Sequence, residues 1–153
     1  MIQRIQTLFL LIASALQIAL LFMPIAEYAI PDKEIIVLSA SGFKTDAVLS
    51  EKLLSTNINL IFVCLIALLL LISVFLFKYR ILQMRICVFS ILLLIGFQLF
   101  IIWFTWNSGQ MIEAITYYKI SIIFPIVSVI LTYLAYRKIN KDEKLVRSLN
   151  RIR

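Results

Sequence analysis

The side chains best placed for chemistry in this sequence are two glutamines within apolar segments. Gln17 and Gln98 each interrupt a run of aliphatic and aromatic residues. Counting about 1.5 Å per residue from the basic ends of these segments places both amides near the middle of a bilayer, where an amide seeks a hydrogen-bond partner. We expect them to form an interhelical clamp or, together with Thr105, to line a path for a neutral or apolar solute.

The usual catalytic groups are absent or isolated. The chain has no histidine, which removes the commonest general base and metal ligand. Cys64 and Cys87 fall at different depths of different apolar segments, so we expect no disulfide between them. Lipid or quinone chemistry would need an acid or base near the outer membrane surface, for which Glu27 and Glu113 are poor candidates. We therefore predict a protein that is not an enzyme and holds no metal or cofactor.

Composition indicates that these residues are positioned by membrane-spanning helices. Of the 153 residues, 63% are hydrophobic, and the mean hydropathy is +1.03. A spanning helix needs about 20 apolar residues. The sequence predicts an all-α, single-domain bundle of four transmembrane helices, with spans at residues 8–26, 58–77, 86–106 and 115–136. In the fourth span we expect Pro125 to cause a kink and Lys119 to extend its side chain to the membrane surface.

Charge predicts the orientation of the bundle. Ten of the 15 Lys and Arg residues lie within residues 78–85 and 137–153, and short segments rich in these residues stay in the cytoplasm. Both termini should therefore be cytoplasmic, and the segment 27–57 should lie outside. Tyrosine and tryptophan favour the headgroup level, so we expect Tyr28 and Trp106 to mark the outer membrane surface.

The outer segment 27–57 has its own pattern. Residues 35–38 are Ile, Ile, Val and Leu and precede a Ser-Ala-Ser-Gly sequence, which predicts a short extended stretch and a turn. Asp46 could cap a short helix whose apolar side carries Val48, Leu49, Leu53 and Leu54. This segment is either a lid over the helix ends or a docking surface for a partner.

The tail 137–153 is basic. Asn140 and Glu143 predict a helix start, and the helix would be amphipathic. The residues available to the membrane surface or to a partner are Lys141, Lys144, Arg147, Arg151 and Arg153. They would be attracted to an anionic leaflet by about 1 kcal/mol each, or they serve only to set the topology. No aromatic residue is interleaved with these charges, so no nucleic acid is expected as a partner.

Three features carry a resemblance to a known family: the opening Met-Ile-Gln-Arg-Ile-Gln-Thr, Pro24 after the first apolar run, and the basic turn Arg-Ile-Leu-Gln-Met-Arg-Ile-Cys at residues 80–87. Together they resemble a family of small bacterial membrane proteins known as domain of unknown function 4293. The resemblance implies a four-span protein of the inner membrane in Bacteroidota or their relatives. It supplies no activity and no binding residue.

These observations favour a non-enzymatic protein that acts by association. We expect an accessory or scaffolding subunit of a larger inner-membrane assembly, in contact with membrane lipids and with a membrane-protein partner or further copies of itself. The alternative is a small transporter or channel-like protein for a neutral or apolar solute.

Overall fold

Four long helices form the body of the protein. The computed structural model describes residues 3–30, 35–44 and 57–150. Within these ranges the helices are α1 (Gln3–Phe22), α2 (Asn57–Phe75), α3 (Arg80–Met111) and α4 (Phe124–Asn150). Each is long and apolar enough to cross a membrane. The predicted bundle of four membrane-length helices is confirmed, and its composition is that of a multi-pass membrane protein.

The helices follow one another around the bundle. Each packs mainly against its neighbours in sequence, and α4 closes the ring against α1. A short 3₁₀ turn, Leu76–Lys78, joins α2 to α3 at one end of the bundle. We call this the basic end, because the exposed Arg85, Arg137, Lys138, Lys141 and Lys144 lie there. The opposite end is the sheet end.

A four-stranded antiparallel sheet covers the sheet end. Its strands are β1 (Pro24–Ala29), β2 (Ile36–Ser39), β3 (Gly42–Lys44) and β4 (Ile115–Tyr118), in the order β3-β2-β1-β4. The extended stretch predicted at residues 35–38 is confirmed by β2. The prediction of an all-α protein was wrong, because the protein also contains this sheet.

Two predicted span boundaries were wrong for the same reason. The span predicted to end at residue 26 ends as α1 at Phe22, because a residue that precedes proline disfavours the helical conformation and Pro24 cannot donate a backbone hydrogen bond. The span predicted from residue 115 begins as α4 at Phe124. Residues 24–29 and 115–118 instead form the strands β1 and β4, which pair with each other.

Pro125 and Lys119 therefore have roles other than those predicted. Pro125 lies in the first turn of α4, where its missing N–H is not needed and its fixed φ suits a helix start. It starts the helix rather than kinking it. Lys119 follows β4, and its Nζ lies 2.7 Å from Oε1 of Glu27 on β1.

The sheet and the helices share one hydrophobic core. Ile25, Tyr28 and Leu38 of the sheet belong to the same buried cluster as Phe97 of α3. Phe43 extends this cluster, with ring centroids 6.1 Å from Tyr28 and 6.4 Å from Phe104. The described part of segment 27–57 is thus a lid packed on the helix ends. The helix predicted after Asp46, with Val48, Leu49, Leu53 and Leu54, lies outside the described residues.

The junction between the sheet and α3 depends on a glycine. A Cβ at Gly109 would collide with Oγ1 of Thr116 on β4 and would lie 3.4 Å from the ring of Tyr28, whereas a Cβ at Gly96 of the same helix would meet nothing within 4 Å. Gly109→Ala should therefore lower the free energy of unfolding by about 1–3 kcal/mol through overpacking. Thermal unfolding of the purified protein in detergent micelles would measure this.

Gly96→Ala is the matched control, and it should be neutral or should stabilise by up to about 1 kcal/mol, because alanine favours a helix. Adding Thr116→Ala to Gly109→Ala should restore most of the lost stability. Equal unfolding midpoints for the two glycine variants would contradict close packing between α3 and the sheet.

Candidate functional site

Gln17 forms a clamp between α1 and α4. Its side chain is fully buried, and its Nε2 donates a hydrogen bond of 2.9 Å to Oγ of Ser128 on α4. The Ser128 hydroxyl in turn donates to the carbonyl oxygen of Ala13 on α1 at 3.3 Å. In a membrane such a bond contributes about 0.6–2 kcal/mol. Gln17 therefore fits the clamp interpretation, with Ser128 as its partner.

Gln98 does not meet Gln17. It lies on α3, across the bundle from α1, and is 9% exposed. Within the described ranges no donor reaches Oε1 of Gln98, and the same holds for Oε1 of Gln17. Thr105 is buried, and its hydroxyl donates to the carbonyl oxygen of Ile101 on its own helix at 2.7 Å. The structure therefore does not bring the three predicted solute-path residues into one hydrogen-bonded cluster.

Tyr28 is a buried tether rather than a marker of the membrane surface. Its side chain is fully buried, and its hydroxyl donates to the carbonyl oxygen of Thr105 at 3.0 Å. This bond connects β1 of the lid to α3. Burial raises the pKa of the Tyr28 phenol well above its ordinary value, because the phenolate would lose its hydration. The sequence carries no signal for this role, because the uncharged residues 24–26 that precede Tyr28 resemble the end of a span.

A second polar clamp lies near the basic end and was missed by the sequence analysis. Nε2 of the buried Gln83 donates to the carbonyl oxygen of Ser73 at 2.9 Å and so joins α3 to α2. The Ser73 hydroxyl lies 3.4 Å from the sulfur of Cys87. Cys87 is buried, Cys64 is exposed, and both thiols are free.

The basic tail continues α4 without a new start. The helix runs unbroken to Asn150, so the helix start predicted at Asn140 and Glu143 is wrong. Asp142 on the tail accepts a hydrogen bond from Gln6 of α1. Beyond it, Lys144 and Val146 are exposed, as is Lys141 just before it. Arg147 lies within α4, whereas Arg151 and Arg153 lie outside the described residues.

Two grooves open at the basic end between α3 and α4. The larger, of about 480 Å³, is lined by Ile81, Met84, Arg85, Val88, Phe89, Leu92, Tyr136 and Asn140. The smaller, of about 400 Å³, is lined by Tyr79, Arg80, Ile81, Leu82, Glu143 and Val146. Ile81 separates the two. Gln17, Gln98 and Thr105 line neither groove.

Comparison with known proteins gives one relationship. The model of a family described as domain of unknown function (DUF4293) matches residues 2–152. No curated protein matches the chain.

The buried Tyr28 predicts a dependence of stability on alkaline pH. The unfolded chain ionises this phenol near its ordinary pKa of about 10, while the folded chain keeps it protonated to higher pH. The stabilisation is therefore complete below pH 10 and is lost as pH rises beyond it, with a slope of at most about 1.4 kcal/mol per pH unit. Tyr28→Phe should flatten this fall in chemical denaturation between pH 9 and about 11.5.

At neutral pH the same variant should lose about 1 kcal/mol, because the hydrogen bond to Thr105 is removed. Tyr117→Phe, which removes an exposed hydroxyl from the same sheet, serves as the control. If the free energy of unfolding falls with rising pH as steeply in Tyr28→Phe as in the wild type, a group other than Tyr28 causes the fall.

Proposed function

We propose that this chain, which belongs to the DUF4293 family, is an accessory or scaffolding subunit of a larger assembly in the bacterial inner membrane. It works by association and not by catalysis. Its N- and C-termini lie in the cytoplasm, and its lid faces outward.

The surface of the last turns of α4 carries this proposal. After Ile139, which is buried, the helix continues to Asn150 and exposes Lys144 and the apolar Val146. A span needs about 20 residues and α4 has 27, so the helix extends past the length that a bilayer requires. A helix face with apolar and basic side chains outside the packed core suits docking into a groove of a partner.

The distribution of charge supports the proposed orientation. The exposed Arg85, Arg137 and Lys138 accompany the tail lysines at the basic end. At the sheet end Lys119 pairs with Glu27, and the segment 27–57 has three basic residues against five acidic ones. The positive-inside rule then assigns the basic end to the cytoplasm.

The interior of the bundle also favours association. In the described part of the chain, the buried polar side chains are amides and hydroxyls. Gln17 and Gln83 use their amides to join helices. Such groups stabilise packing, whereas proton relays and ion-coupled transporters use ionisable residues within the membrane.

Affinity purification from native membranes in a mild detergent tests the proposal. At native expression level the protein should bring down one membrane-protein complex in constant stoichiometry, as quantified by mass spectrometry. Lys141→Gln, Lys144→Gln and Val146→Ser together should lower recovery of the partner about tenfold or more, which corresponds to about 1.4 kcal/mol of binding free energy.

Arg137→Gln with Lys138→Gln is the control, because it removes two exposed charges one turn earlier on the same helix. Recovery of the wild-type protein alone, as a monomer or homo-oligomer, would contradict the accessory role. Equal loss of the partner in both variants would show that net charge, rather than this helix face, holds the complex.

A second function is favoured by buried polar atoms that have no hydrogen-bond partner among the described residues. Oε1 of Gln17, Oε1 of Gln98 and both amide atoms of Asn59 are buried without a hydrogen-bond partner in the described ranges. A buried amide without a partner costs free energy that a small polar guest would recover. A path for a neutral solute would use these groups.

Glycerol flux into proteoliposomes tests this alternative. If the protein is a path, vesicles with wild-type protein should swell faster than protein-free vesicles, and Gln17→Leu with Gln98→Leu should abolish the difference. Thr132→Val removes a buried hydroxyl that bonds only within α4 and should leave the flux unchanged. Equal swelling with and without wild-type protein would contradict a glycerol path.

A further inference from the structure

The larger groove at the basic end changes from polar to apolar along its length. Arg85, Tyr136 and Asn140 contribute its polar groups. Val88, Phe89 and Leu92 of α3 continue it as an apolar channel, and each of these three side chains is more than 40% exposed. Its volume, about 480 Å³, lies within the range of small-molecule sites.

The groove changes from polar to apolar in the same direction as the bilayer does, from its surface to its core. α3 begins at Arg80, at the basic end, and runs inward. From Arg85 to Leu92 the helix advances about 10 Å, at about 1.5 Å per residue. Arg85 therefore lies nearer the membrane surface, and Leu92 nearer the hydrocarbon core. A phospholipid has its polar and apolar parts in the same order.

The charges around the groove select the headgroup. The guanidinium of Arg85 is exposed at the groove, and Arg80 lines the adjoining groove one helical turn nearer the surface. A guanidinium offers paired N–H donors that match the geometry of a phosphate. Among the nearby acidic groups, Asp142 accepts a hydrogen bond from Gln6, and Glu143 lines the smaller groove together with Arg80. Neither acidic residue lines the larger groove, where Arg85 is the charged residue.

We propose that this groove binds one anionic phospholipid from the leaflet at the basic end. Its phosphate lies against Arg85 and Asn140, and one acyl chain follows Val88, Phe89 and Leu92. Basic pockets between transmembrane helices recognise anionic headgroups in this way. The proposal does not depend on the accessory role, since a lipid can occupy the groove with or without a protein partner.

Native mass spectrometry of the detergent-solubilised protein, titrated with defined lipids, tests the site. Phosphatidylglycerol should bind as a single adduct at low concentration, and phosphatidylcholine of the same chain length should bind more weakly. Arg85→Gln should weaken the phosphatidylglycerol adduct about fivefold, as expected from the loss of one cation near a membrane surface. Arg85→Lys keeps the charge and should retain most of the binding.

Arg137→Gln is the control, because Arg137 is exposed at the same end but does not line the groove. Leu92→Trp supplies an independent test, since a larger side chain in the apolar channel should reduce the adduct while the charges stay in place. Equal affinity for both lipids, or equal loss in Arg85→Gln and Arg137→Gln, would overturn the proposal. Dimers that form in proportion to lipid loss would show that a second copy, and not a lipid, occupies the groove.

Discussion

The hydrogen bonding of β1 is the constraint on which the rest of the fold depends. Pro24 ends α1, and the backbone groups that follow can no longer be satisfied within a helix. β1 satisfies them on both sides, pairing with β2 along one edge and with β4 along the other. β4 is followed by a second 3₁₀ turn, Ile120–Ile123, which leads into α4. Pairing with β1 therefore fixes where the last helix starts. The hydroxyl of Ser121 in that turn donates to the carbonyl oxygen of Pro24, which ties the two junctions together.

Polar groups inside the bundle then set how the helices face one another. Lipid is as apolar as the helix surfaces, so van der Waals packing together with bonds between amides, hydroxyls and backbone carbonyls determines which surfaces face one another. Gln17 orients α1 towards α4, and Gln83 orients α3 towards α2. Gln98 contributes no such bond through its oxygen. The two glutamines that look alike in the sequence are therefore different in the structure.

The sequence predicts the helices well and the lid poorly, for a physical reason. Apolar runs of membrane length have few alternatives to a spanning helix, so α2 was predicted within two residues at each end. Residues 24–26 and 115–118 carry no charge either, and composition does not distinguish a strand of the sheet from the last turn of a span. Their pairing joins positions about 90 residues apart, and a single sequence carries no local signal for that contact. The same limit hid the tether at Tyr28, whereas β2 was recognised because a short run of Ile, Ile, Val and Leu precedes a turn.

The position of β4 also bears on how the protein is made. Ala26 leaves the ribosome about 90 residues before its partner Tyr118, and the two helices α2 and α3 are made in that interval. Until then β1 can pair only with β2, and its other edge stays open. Closing so long a loop is entropically costly and slow compared with forming the helices themselves. The sheet is thus completed only after α2 and α3 have been made, and its last strand leads directly into α4.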